Sequence, residues 1–214
     1  AWSGLAAGIS IGLSLIAQGV LLRHLPESEW RLLLTSLGYS VGFIAVTLGR
    51  QQLFTETTLT AMLPLLHYGT GLLNVVRLWV VVLAANLAGA SIFAAASAFT
   101  TTFSPELSRA MIEIGLEQVR FPFTTALVKG IFGGWMIALM VWLMPSAHAS
   151  RLLVIAMITW LLSAAEFTHI IAGSADVLFA VMKGEVRLGT YVISFLLPVL
   201  LGNSIGGIVF VAAL

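Results

Sequence analysis

An all-α membrane protein is the fold class this sequence predicts, with six transmembrane helices in two inverted three-helix repeats and the second and fifth helices broken. Three observations carry it: a nearly uncharged composition, apolar runs that recur from end to end, and short motifs that repeat in order along the chain. Of 214 residues, 59% are hydrophobic and 9% charged, with a mean hydropathy of +1.05. A soluble domain carries about a quarter of its residues as charges. With no linker or charge block to divide it, the chain reads as one transmembrane domain over residues 1–214. The net charge is +1 and the Lys and Arg residues are scattered singly, so there is no basic stripe for phosphates and nucleic acid is excluded as a partner. The absence of cysteine excludes disulfides, thiolate metal sites and a Cys nucleophile.

A spanning helix needs about 20 apolar residues, because a rise of about 1.5 Å each must cross a core of about 30 Å. Four runs qualify: Trp2 to Leu22, Leu78 to Phe99, Thr124 to Met144 and Leu188 to Leu214. The first has no basic leader or cleavage site and reads as a span, not a signal peptide. Two regions read as broken helices. Leu32 to Gly49 meets the polar "RQQLFTETT" before resuming as "LTAMLPLL", and Leu152 to Ala165 stops at "EFTH". A helix that stops so early ends inside the bilayer unless the chain continues as a second half-helix, and backbone freed at such a break lines a cavity or is buried in protein.

The repeat sets these breaks at equivalent points. Asn86, Gly89 and Phe93 match Asn203, Gly206 and Phe210 at an offset of 117, Phe54-Thr55 matches Phe167-Thr168 at 113, and "GISIG" from Gly8 resembles "GIFGG" from Gly130 at 122. With an odd number of spans in each half, about 1–99 and 124–214, the second half enters from the opposite side. Residues 100–123 read as a surface helix joining them. The small residues and amides of these helices read as packing faces.

Against this background "EFTH" stands out. An ionisable group near the bilayer centre costs roughly 2.5 to 3.5 kcal/mol on insertion scales, so His169 is expected to face a cavity or a partner. It is the leading functional candidate, able to give a proton or a hydrogen bond to a small anion, and the alternative is a neutral histidine tying the break to Thr55 or a carbonyl. Half-helices that begin at the midplane turn their N-terminal dipoles toward it, which favours an anion over a cation. Glu166 with His169 forms half of a di-metal Glu-x-x-His motif, but no second copy exists, so no metal or other cofactor is expected. Asp176 is expected on the second half-helix toward the outer surface, paired with a basic residue such as Lys183. Lys129 is expected to snorkel, with an anion-attracting vestibule site as its second reading, and Glu56 to cap the broken second helix.

Five segments together are similar to the formate/nitrite transporter family: "GYSVGF" at 38–43, "LFTETTL" at 53–59, "ALVKGIFGGWMIALMVWLM" at 126–144, "EFTHIIA" at 166–172 and "LGNSIGGIVFV" at 201–211. The resemblance covers nearly the whole chain. It implies an aquaporin-like protomer with its own pore, a homopentamer in a bacterial inner membrane, and a small monovalent anion or its protonated acid as permeant. By position it makes His169 the central pore histidine and Thr55 the threonine facing it. Leu53 and Phe54 would form the cytoplasmic constriction, and Tyr39, Phe43 and Leu162 the outer one. The chain departs from the family at Thr168, where relatives carry Glu, and at Gly134, where they carry Asn. The family places both termini in the cytoplasm, which leaves six Lys or Arg in the external loops against three in the internal ones, the reverse of the positive-inside rule.

The expected function is a channel or proton-linked transporter for small monovalent anions, not an enzyme. A neutral-solute pore, a metal-dependent intramembrane enzyme built on Glu166, His169 and Asp176, and a non-conducting scaffold are the alternatives.

Overall fold

The computed structural model describes the backbone of residues 1–68 and 71–212, with side chains defined outside 63–68 and 210–212. The side chain of Phe210 in the repeat match and the last two residues of the run to Leu214 lie outside the described residues. Every described element is helical. α1 (Trp2–His24), α2 (Arg31–Leu48), α3 (Phe54–Tyr68), α4 (Leu72–Ala98), α5 (Pro105–Val119) and α6 (Phe123–Ala147) come first. A single 3-10 turn at His148–Ser150 leads into α7 (Arg151–Ala164) and α8 (Ile170–Met182). The chain ends in one continuous rod made of α9 (Leu188–Thr190), a π-helical stretch Tyr191–Leu196 and α10 (Leu197–Ala212).

Five stretches among the described residues are long and apolar enough to cross a membrane: α1, α2, α4, Phe123–Ala164 and Leu188–Val209. α2 is an addition to the four runs expected. Its polar Thr35, Ser36 and Ser40 are buried inside the protein, so they do not interrupt the span. Phe123–Ala164 holds 42 residues, about 63 Å of helix and twice the core thickness. The chain reverses within it at His148, whose φ is 40°, and α7 packs back against α6.

The core is built around α8. Its residues Ile170 to Ala180 are all buried, whereas α4 keeps Val76, Val80 and Val81 on an exposed face suited to lipid. Thirteen residues reach only about 20 Å, so α8 is a half-helix enclosed by others. α1 packs against α4 and α6 against α10, each pair at close backbone distance. A Cβ at Gly8 would stand 2.9 Å from Ala90 N, and one at Gly206 would stand 2.7 Å from Trp135 N. Only glycine permits these approaches, as small-residue helix contacts in lipid require.

α5 is more than a surface connection. Ser104 caps it by accepting from Leu107 N, and its buried Leu107, Ala110, Met111 and Gly115 wedge it between α1 and α8. Tyr191 and Phe195, four residues apart in the π-helical stretch, both face α8. Tyr191 donates to Ser174 Oγ at 2.9 Å, and Phe195 fills the space a side chain at Gly173 would need.

Candidate permeation site

Two interruptions meet at the centre of the bundle, and they are built alike. α2 ends with Arg50 in the left-handed region at φ 53° and with Gln51 N donating back to Val46 O. α7 ends with Glu166 at φ 54° and with Phe167 N donating back to Leu162 O. This is the Schellman way of closing a helix, here without its usual glycine. The pattern recurs at an offset of 116 residues, not at the 113 that matched Phe54-Thr55 with Phe167-Thr168. Phe54 and Thr55 already lie inside α3, whereas Phe167 and Thr168 lie in the loop before α8.

Each break is bolted by one buried amide. Asn86 Oδ1 accepts from Phe54 N at 2.8 Å, and its Nδ2 donates to Gly4 O and Gln52 O at 2.8 and 2.9 Å. Asn203 Oδ1 accepts from Ile170 N at 2.8 Å, and its Nδ2 donates to Gly130 O and Thr168 O at 2.7 and 2.9 Å. Sequence reasoning placed both residues in packing faces and missed this role. The signal was available in their nearly equal spacing from the two breaks, 32 and 33 residues from the N–H that each accepts.

His169 is the N-cap of α8. Its Nδ1 accepts from Ile171 N and Ala172 N at 3.3 and 3.2 Å, and its Nε2 lies 2.7 Å from Thr55 Oγ1. An Nδ1 that accepts backbone N–H carries no proton, so the network assigns the ring proton to Nε2, which donates to Thr55. Thr55 keeps its own hydroxyl proton for another acceptor. His169 is 1% exposed and Thr55 0%, so the junction is shut in this structure.

Of the residues expected to form constrictions, Phe43 touches this junction and Leu53 and Phe54 precede Thr55 in the chain. The Phe43 ring meets the imidazole edge-on at 5.0 Å, Tyr39 lies tilted against Phe43 at 5.1 Å, and Leu162 is fully buried. Tyr39 also lines a cavity of about 340 Å³ at the α5 end of the molecule. Leu53 and Phe54 are buried just ahead of Thr55, with Phe54 edge-on to Trp79. Beyond them Glu56, Thr57 and Arg50 line a second cavity of about 260 Å³. Thr47 Oγ1 donates to Glu56 in the first turn of α3.

The remaining polar residues are placed differently from expectation. Thr168 is buried, with its main chain tied to Lys129 O and to Asn203, and its Oγ1 makes no hydrogen bond among the described residues. Lys129 does not snorkel, because its Nζ donates to Glu166 O at 3.1 Å and stands 3.6 Å from Glu166 Oε2. Nor is it among the residues lining the larger cavity, where Glu166 and Arg120 stand instead. Asp176 is buried, not peripheral, with Gln118 Nε2 at 3.5 Å from its Oδ2, and Lys183 donates to Ala98 O in place of the expected pairing. Glu166, His169 and Asp176 thus serve three separate partners. Gly134 lies against Asn203, whose Cα would be 2.6 Å from an added Cβ, so α6 has no room for a side chain there.

Comparison with known proteins agrees with this architecture. The Formate/nitrite transporter family model matches residues 1–214. The chain is 41% identical to the inner membrane protein YfdC of Escherichia coli (strain K12) over 210 residues, which are 96% of this chain and 67% of that one. It is 27% identical to the uncharacterized transporter YrhG of Bacillus subtilis (strain 168), over 97% of this chain and 80% of that one. Among solved structures, a pentameric formate channel with formate bound superposes with a TM-score of 0.84 at 25% identity, over 99% of this chain and 92% of that one. An FNT family ion channel shares the fold, with a TM-score of 0.85 at 20% identity over 99% and 86%. The family and these structural neighbours are channels and transporters, not enzymes. The all-helical chain, with its central pair of broken helices, belongs to the formate/nitrite transporter family.

Proposed function

We propose that this protein is a channel or proton-linked transporter for small monovalent anions of the formate and nitrite kind, with one pore per protomer and His169 with Thr55 at its centre. The observation that carries the reading is the 2.7 Å contact between Thr55 Oγ1 and His169 Nε2, made where two half-helices meet between two cavities. The recurrence of the break at an offset of 116 supports six spans in two inverted halves, 1–99 and 124–214, joined by 100–123. The pentameric formate channel among its structural neighbours supports a homopentamer, and YfdC supports an inner-membrane location with lipid around the exposed apolar faces.

The mechanism follows from the polar inventory. An anion leaving either cavity loses its hydration between apolar walls, Tyr39, Phe43 and Leu162 on one side and Leu53 and Phe54 on the other. Carrying a bare charge through such a passage costs many kcal/mol by Born solvation, which crossing as the neutral acid removes. The Nε2–H of His169 and the free hydroxyl proton of Thr55 are the donors available to an oxyanion there. Full proton transfer through His169 needs an imidazolium with N–H on both nitrogens. Nδ1 then ceases to accept from Ile171 and Ala172, so transfer is coupled to release of the α8 cap.

A neutral-solute pore is the second reading. Glu27, Glu113, Glu117 and Glu166 line the larger cavity against Arg31 and Arg120, an excess of acid that disfavours anions at the mouth. Flux into proteoliposomes separates the two. Formate uptake should respond to the proton gradient, fall about tenfold in Thr55→Val, where one hydrogen bond of about 1.4 kcal/mol is lost, and fall further in His169→Ala. Anion flux that is unchanged in His169→Ala defeats the proposal.

A further inference from the structure

The wall of the larger cavity holds an ion cluster that permeation at His169 does not use. The Glu166 carboxylate pairs through Oε1 with Arg120, while Lys129 Nζ lies 3.6 Å from Oε2. Arg120 also pairs with Glu117. Both cations lie over the Phe121 ring, Arg120 at 4.7 Å and Lys129 at 4.4 Å from its centroid. One aromatic side chain therefore holds a planar guanidinium and an ammonium so that they converge on a single carboxylate. That donor set suits any small oxyanion of one charge. The carboxylate now in it comes from the break loop itself, on a residue held in the left-handed region. Glu166 is 40% exposed and Lys129 18%, so the carboxylate stands between the cavity and the ammonium.

We propose that Arg120 and Lys129 form a subsite for a small monovalent carboxylate, filled in this structure by Glu166 as a tethered competitor. The proposal rests on the transport reading for its ligand class. Tethered through its own chain, Glu166 acts at an effective concentration on the order of millimolar, so a free carboxylate enters only by displacing it. With Glu166 in place the four groups Arg120, Lys129, Glu117 and Glu166 are electrically neutral. With Glu166 swung away, Arg120, Lys129 and Glu117 carry one net positive charge, which the entering carboxylate balances beside the route to the junction. Lys129 links the two sites, since its own carbonyl accepts from Thr168 N at 3.4 Å, next to His169. An anion held here is staged next to the junction, and Glu166 sets the concentration at which staging begins.

The test is a titration of the full purified chain in detergent with sodium formate at constant ionic strength, followed by calorimetry, with formamide as the neutral control. Glu166→Gln should bind formate at least tenfold more tightly than the wild type, and formamide should show no difference. Adding Arg120→Gln or Lys129→Gln to Glu166→Gln should return the affinity to the wild-type level or below. An affinity in Glu166→Gln within twofold of the wild type overturns the proposal, and so does tight binding that survives both cation replacements. Should Glu166→Gln not purify folded, Glu166→Asp keeps the charge but draws it back by one methylene, and an unchanged affinity there overturns the proposal equally. Binding is read without flux, so a failure of the transport reading in His169→Ala leaves this outcome separately decided.

Discussion

Replacing Asn203 by Ala removes the amide that joins α10 to α6, to the second break and to the first N–H of α8. Three partners lose their hydrogen bonds at once: Ile170 N, Gly130 O and Thr168 O. None can turn to water, because Asn203 is fully buried and the half-helix it holds is enclosed. Side-chain hydrogen bonds inside membrane proteins average about 0.6 kcal/mol each, and buried ones in general run up to about 1.5 kcal/mol. Three of them set the expected loss at about 2 to 4 kcal/mol. Asn86→Ala breaks the corresponding three bonds, to Phe54 N, Gly4 O and Gln52 O, and should cost the same within about 1 kcal/mol. Denaturant-driven unfolding of the purified protein in mixed micelles measures both. Ser204→Ala, which loses only a bond within its own helix to Leu200 O, is the control and should change stability by less than about 0.5 kcal/mol. If Asn203→Ala is no more destabilised than Ser204→Ala, the breaks are not held by these amides. The same conclusion follows if Asn86→Ala and Asn203→Ala differ severalfold, since the argument rests on matched bonds.

Three further substitutions probe the neighbouring residues. Thr168→Val removes a buried hydroxyl that has no hydrogen-bond partner among the described residues, so stability should hold or rise by about 1 kcal/mol, while a fall in formate flux of threefold or more in proteoliposomes would mark the hydroxyl as a contact of the permeant. Gly134→Asn installs the residue that the family resemblance leads one to expect, yet the added Cβ meets the Asn203 backbone, so thermal unfolding should show a loss of about 1 to 3 kcal/mol from overpacking and no gain of flux. A cysteine in place of His148, on the turn between α6 and α7, should react with a membrane-impermeant thiol reagent only from the cytoplasmic side if the termini are cytoplasmic; labelling from outside reverses the orientation.

Much of the site was legible in the sequence because polar residues are costly in lipid. "RQQLFTETT" and "EFTH" read as breaks for that reason, while the pairing of Thr55 with His169 was what the family resemblance implied. What the sequence concealed was register. The short motif Phe-Thr occurs at both breaks and suggested an offset of 113, yet one copy starts a helix and the other precedes one. The Schellman closures at Arg50 and Glu166 set the true offset of 116, and neither residue is the glycine that normally announces such a turn. His169 was read as a side chain facing a passage, while its second task, capping α8 through Nδ1, depends on its own backbone being extended.

Composition and apolar spacing alone determined that the chain is helical, that it lives in a bilayer and that two of its helices are interrupted, because hydrophobicity over a run of residues is a property of the run. The partners of single polar atoms were decided by the tertiary structure. Asn203 reaches Ile170 across 33 residues and Lys129 reaches Glu166 across 37. A helical period says which face a residue occupies but not how far one helix slides along the next. That sliding is limited at the glycine contacts of α1 with α4 and α6 with α10, and only the packed bundle brings Lys129 and Arg120 onto one carboxylate and His169 onto Thr55.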